Sequence, residues 1–279
     1  AVAYLPYKSK YSRNWTKPNS CYDLTHYEIY PGMQPVNILD RLLKVDYSDS
    51  NLFPYIVSPR PIDMVMVRVA KDTTLIINSQ GLQALIERRP TGTGKRDFEY
   101  RYHVVTNFEQ DQEGKNSFQE VENPTEDPLG YLNSPDFVKY TKDAPEWLKN
   151  FHPGNEWLEA TKNTRYPDSV VALAHFTAWD DSIKELEDRY GPDFGVVPKK
   201  GWSFQTDARL ASDHGYPFYE SMHIPLFVTG PNIKKGTIVT NAHRLIDIVP
   251  TVLDMVGAEY NKDALDGKSI TGIYEGGEE

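Results

Sequence analysis

Cysteine is nearly absent: Cys21 is alone among 279 residues, so the chain can form no intrachain disulfide and carries no cysteine-based metal motif. No apolar run approaches the roughly 20 residues that cross a bilayer, so no membrane-spanning helix is expected. Positive charge is also short. Thirty Lys and Arg against forty Asp and Glu leave a net charge of −10, a poor match for nucleic-acid phosphates or an anionic membrane, and no duplex binding is expected. The first residues, Ala1 to Lys8, lack an initiator Met, a basic segment and an apolar segment. An intact signal peptide is therefore not read here, and processing or truncation is expected. The compartment stays open, with a secreted or periplasmic setting slightly favoured.

What is present is an ordinary globular composition, 39% hydrophobic and 25% charged, at a length that suits two domains or one large one. Residues 1–60 are rich in Tyr, Pro, Asn and Ser without periodicity and read as an irregular wrapping segment; Asn14-Trp15-Thr16 within them fits the N-glycosylation pattern. Residues 61–168 read as a small β-rich lobe with a surface excursion. Its strands are expected at Ile62–Val67, Thr74–Asn78 and Tyr100–Val105, the excursion with short helices at Gln110–Pro145, and a short helix at Trp157–Thr161. Residues 169–279 read as the C-terminal part of an α/β domain with a mainly parallel sheet flanked by helices. There Val170–Phe176 and Ile224–Val228 are apolar runs of strand length, expected as strands buried on both faces. Asp180 or Asp181 is placed to cap a following helix. Asp247 is placed to cap another, with Ile248, Val249, Val252, Leu253 and Val256 on one stripe, Pro250 in its first turn and Gly257 as its stop.

Chemistry concentrates at Ser212-Asp213-His214-Gly215. Adjacent Asp and His before a Gly supply oxygen and nitrogen ligands suited to zinc or a similar divalent ion. A turn with a capping Asp accounts for the same residues on their own. His223, ten residues after Asp213, stands directly before the Ile224 run and could bring a third ligand. Thr91-Gly92-Thr93-Gly94-Lys95-Arg96 lacks the glycine spacing and the hydroxyl of a phosphate loop and reads as a hairpin tip. The carboxylates between Glu120 and Asp127, with Glu159 and Asp168, read as a solvated acidic face, since their spacing selects no acid/base pair.

Four blocks in order, Ser212–Gly215, His223–Pro231, Ile246–Gly257 and Leu265–Ile270, resemble the C-terminal half of the alkaline phosphatase superfamily, nearest its sulfatases and type I phosphodiesterase/nucleotide pyrophosphatase-like proteins. The resemblance implies a metal-dependent hydrolase of phosphate or sulfate esters that uses a divalent metal, zinc before manganese or calcium. It places Asp213, His214 and His223 as metal ligands, with His175 and Asp180 as outside candidates, and makes an anionic ester, small molecule or glycan, the substrate. The family's first strand, with its metal-binding Asp and the nucleophile that follows, is not recognisable before Ser212, and the residues from His175 to Asp181 lack the Asp-x-x-x-His order of the phosphodiesterase branch. Two readings follow. The chain is the C-terminal part of a longer hydrolase, whose N-terminal fragment supplies the rest of the site; alternatively it is an inactive module that binds or supports.

Overall fold

The computed structural model describes residues 62–92, 97–111, 114–177, 192, 194–202 and 215–274, with the backbone of four short strands nearer the start. These are β1 (Val2–Ala3), β2 (Tyr7–Ser9), β3 (Tyr27–Glu28) and β4 (Val36–Asn37); β1 pairs with β4, and β2 with β3. The Asn14 triplet, the helix expected after Asp180 and Asp181, and the Asp213–His214 pair lie outside the described residues.

The main sheet grows from β5 (Ile62–Ala70), β6 (Thr73–Asn78), β7 (Gln83–Pro90) and β8 (Phe98–Gln110). Along β5, Met64 and Met66 point to one face and Val65, Val67 and Val69 to the other, and all five are buried. This double burial explains a nearly continuous apolar run. The connection from β5 to β6 is only Lys71–Asp72, and that from β6 to β7 spans 79–82, lengths that close hairpins. β9 (Asn116–Glu120) and β10 (His152–Pro153) pair with different parts of β8, and β11 (Phe194–Pro198) pairs with β5. The order is β10-β8-β7-β6-β5-β11, and every pairing is antiparallel. The expected mainly parallel sheet is thereby corrected: a parallel neighbour needs a crossover of about a dozen residues or more, and the described strands are joined mostly by tight turns. β7 and β8 pair up to Pro90 and Phe98, and Thr91 N–H donates to the Asp97 carbonyl at 2.6 Å; residues 93–96 of the expected hairpin tip lie outside the described residues.

Four helices cover the Met64 face: α1 (Pro135–Thr141), α2 (Ala144–Lys149), α3 (Gly154–Thr161) and α4 (Ser169–Phe176). Trp157 of α3, wholly buried, donates its indole N–H to the Tyr100 carbonyl at 2.9 Å, fixing helix to sheet. α4 replaces the strand expected over Val170–Phe176. Five of its eight residues are buried against β6, β7 and β8, so packing on most sides, not strand pairing, accounts for its unbroken apolarity. Gly195 of β11 suits that packing: a Cβ there would sit 3.1 Å from both Met66 and the Phe176 ring of α4, a tight contact.

The expected acidic face is exposed at Glu120, Glu122 and Glu126 and is corrected at two other positions. Asp127 is buried, accepting from Tyr102 Oη at 2.8 Å and from the Leu129 and Leu132 amides, and burial pushes its carboxyl above the usual range. Asp168 is buried in a two-pronged pair with Arg244, at 2.6 and 2.7 Å.

Residues 215–274 contain α5 (Tyr219–Met222) and α6 (Ile248–Met255). The buried strand expected at Ile224–Val228 is not found. The segment belongs to no strand, and its Ile224, Leu226, Phe227 and Val228 are exposed, Phe227 at 90%. Its apolar residues are strand formers, but the segment pairs with no described strand. α6 forms as expected and ends in paired bonds from Gly257 N–H to Asp254 and from Ala258 N–H to Leu253, with Gly257 at φ +67°. Asp247 precedes it, yet its carboxylate accepts from the Arg244 and Lys268 amides, so it ties two loops instead of capping the helix. That tie brings Gly267 against the Ile246 carbonyl, where any side chain would overlap the backbone.

Candidate functional site

An open cleft of about 620 Å³ lies where the lobe meets the residues after β11. Asp136 of α1, Asn163, Thr164 and Arg165 line one side, and Lys200, Phe218, Tyr219 and Glu220 line the other. The segment 163–165 follows α3 as a turn, because the Thr164 N–H and hydroxyl both bond the Thr161 carbonyl, at 2.8 and 2.7 Å. Its Arg165 carbonyl accepts from the Tyr219 amide at 2.9 Å, which sets α5 against the lobe. Phe218 anchors the junction in the core beside Tyr166, ring centroids 5.5 Å apart.

Two cations face this cleft. The Arg165 guanidinium donates to Asp63 Oδ2 at 2.6 Å, and the same oxygen accepts from the Tyr166 hydroxyl. Burial first, then the Asp63 carboxylate, raises the Tyr166 phenol, so it stays protonated and donating. Arg165 is thus aimed by a buried carboxylate while remaining solvent-facing. Lys200 pairs with Glu220, whose carboxyl that ammonium lowers, but both side chains are mostly exposed and such pairs are readily exchanged for another anion. Chemically, the cleft lining offers two cations, Arg165 and Lys200, beside the carboxylates of Asp136 and Glu220 and the amide of Asn163.

Of the expected site residues, only His223 reaches this neighbourhood. It ends α5, is exposed, and stacks on the cleft residue Tyr219 with centroids 4.7 Å apart. His175 stands elsewhere, in the last turn of α4 instead of at a strand end. Its Nε2 lies 2.6 Å from Tyr100 Oη and its Nδ1 3.3 Å from an Arg88 nitrogen. Arginine can only donate, so Nδ1 accepts and Nε2 carries the proton. Both ring nitrogens are engaged in that arrangement. Asp180, Asp213 and His214 fall outside the described residues, and among the described residues no three His, Cys, Asp or Glu side chains form a group that could hold a metal. Arg165, Lys200 and Tyr219 were not singled out by sequence reasoning, because isolated cations and aromatics in polar turns have no spacing that marks them.

No family model matches the chain, and no solved structure matches it. Curated relatives do. Arylsulfatase K of Danio rerio is 30% identical over 136 residues, which is 43% of this chain and 26% of that protein. Arylsulfatase K of Xenopus laevis is 27% identical over 130 residues, 41% and 24% of the two chains, and that of Homo sapiens 29% over 137 residues, 44% and 25%. The chain spans about a quarter of the length of the curated relatives it matches. Over rather less than half its length it is related to sulfatases of the alkaline phosphatase superfamily.

Proposed function

We propose that the chain serves hydrolysis of sulfate esters as the C-terminal part of a longer, metal-dependent enzyme. The observation that carries this is the 30% identity to an arylsulfatase over 136 residues. A sulfate monoester is a singly charged anion, and Arg165 and Lys200 of the cleft lining are cations that could pair with it. Asp213, His214 and His223 are the proposed metal ligands. Of these three, His223 is among the described residues, exposed beside the cleft residue Tyr219, while Asp213 and His214 lie outside them. Asp180 and His175 rank lower; His175 would first have to leave Tyr100. Zinc suits the Asp-His-His set, and manganese or calcium is the alternative.

The test compares hydrolysis of nitrophenyl sulfate, nitrophenyl phosphate and bis-nitrophenyl phosphate by the natural full-length protein, with metal content measured in parallel. Sulfate turnover is expected to dominate, and Asp213→Ala with His214→Ala to remove stoichiometric metal from a protein that stays folded. Preference for either phosphate, or unchanged metal in the double variant, overturns the proposal. A metal-free protein inactive on all three esters supports the binding-module reading.

A further inference from the structure

On the sheet face away from α1–α4, His103 of β8 is 1% exposed, and neither ring nitrogen has a hydrogen-bond partner. Buried polar atoms are rarely left so. Its Nε2 lies 3.6 Å from Glu87 Oε1 on β7, and its Nδ1 lies 3.5 Å from Glu120 Oε2 on β9. Arg101, on the same strand as His103, occupies the other Glu87 oxygen through Nε at 2.9 Å, leaving Oε1 turned to the imidazole. Among the described residues the charged groups facing His103 are therefore Glu87 from β7, Glu120 from β9 and Arg101 from β8. Leu85, directly across on β7, is apolar, and the Phe118 ring of β9 meets the imidazole edge-on at 5.9 Å.

A neutral imidazole has one N–H donor and one acceptor lone pair, and a carboxylate can only accept. Between two carboxylates, a neutral ring satisfies one and turns a lone pair on the other. An imidazolium has two donors for two acceptors. We propose that His103 is a proton-operated latch, whose protonated ring bridges Glu87 and Glu120 and so fastens the edge strand β9 to the sheet. β9 is suited to such control. It is a five-residue strand, mostly exposed, and its pairing with β8 is interrupted by a register shift between Thr106 and Glu109. The latch engages when His103 takes up a second ring proton and releases when it loses it. Burial works to raise the Glu87 carboxyl, but the charges of Arg101 and His103 beside it prevail and hold it lowered, so it stays an acceptor.

Hydrogen–deuterium exchange of the 279-residue chain tests this, with protection factors corrected for intrinsic rates at pH 5.5 and 7.5. Amides of β9 are expected to gain about fivefold or more protection at pH 5.5, the scale of one charge-assisted hydrogen bond, while those of β6 stay unchanged. Glu120→Gln, at an exposed edge position, and His103→Gln should each abolish the gain. Should His103→Gln fail to fold, Glu120→Gln alone decides. Equal β9 protection at the two pH values, or a gain that survives Glu120→Gln, overturns the latch.

Discussion

The lobe of residues 62–177 and the region of residues 215–274 have similarly apolar sequences and opposite fates. In the lobe, Met64, Leu75, Ile76, Ile86, Tyr102, Leu129, Phe137 and Trp157 are all at 1% exposure or less. In the C-terminal region, Phe227, Ile238, Leu245, Val249 and Val256 stand at 90, 85, 65, 54 and 71%. Its own described core is small, Ile270, Ile273 and Tyr274 with Ile233 and Met255 against them. Apolar periodicity thus specifies a face that wants cover, and burial follows only where the fold brings a second face to it. α6 makes the point: its stripe is correct for a helix, yet only Pro250 and Thr251 of its eight residues are buried.

The largest break in this comparison is expected at the centre of the lobe. Trp157→Ala removes a wholly buried indole and its bond to Tyr100 and should cost about 3–5 kcal/mol, read by urea denaturation. A loss below about 1 kcal/mol would mean that the lobe core is not the stabilising unit. Next comes the seam. Arg244 joins the two regions by bonding both Asp168 oxygens and, at 2.7 Å, the Gly154 carbonyl; the Asp168 carboxylate, prevailing over burial, raises its guanidinium further. Asp168→Ala would leave that cation without its counter-ion, at a cost of about 3 kcal/mol for so enclosed a pair. Limited proteolysis should then cut first within 240–260 while the lobe persists; cleavage of the lobe at the same rate would show that the regions unfold as one.

What the sequence made legible follows the same division. Strands β5, β6 and β8 and helix α6 were readable, because alternation at period two and the Asp247, Pro250 and Gly257 signals are local. The sense of the sheet was not read, although the two residues Lys71 and Asp72 between β5 and β6 carry it: so short a link admits only an antiparallel return. Val170–Phe176 illustrates an ambiguity of length, since an apolar run of strand length suits a buried helix or a buried strand equally. Of the expected site residues, His175 and His223 fall among the described ones, and of these two His223 stands next to the cleft residue Tyr219. Arg165 acquires meaning only through Asp63, 102 positions away in the chain, and no local pattern signals so distant a partner.

The smallest expected effect is the sharpest test of the contrast. Phe227 in water contributes little to folding, so Phe227→Ser should change stability by no more than about 0.5 kcal/mol, against several for Trp157→Ala. The same variant should lower binding of an apolar fluorescent dye, because Phe227 is the most exposed large apolar side chain of the region and clustered exposed groups of this kind make up a surface patch. Both readouts matter. A stability loss of about 2 kcal/mol or more would place Phe227 in a core in solution, and the two regions would then differ in sequence position alone, not in how their apolar residues are used.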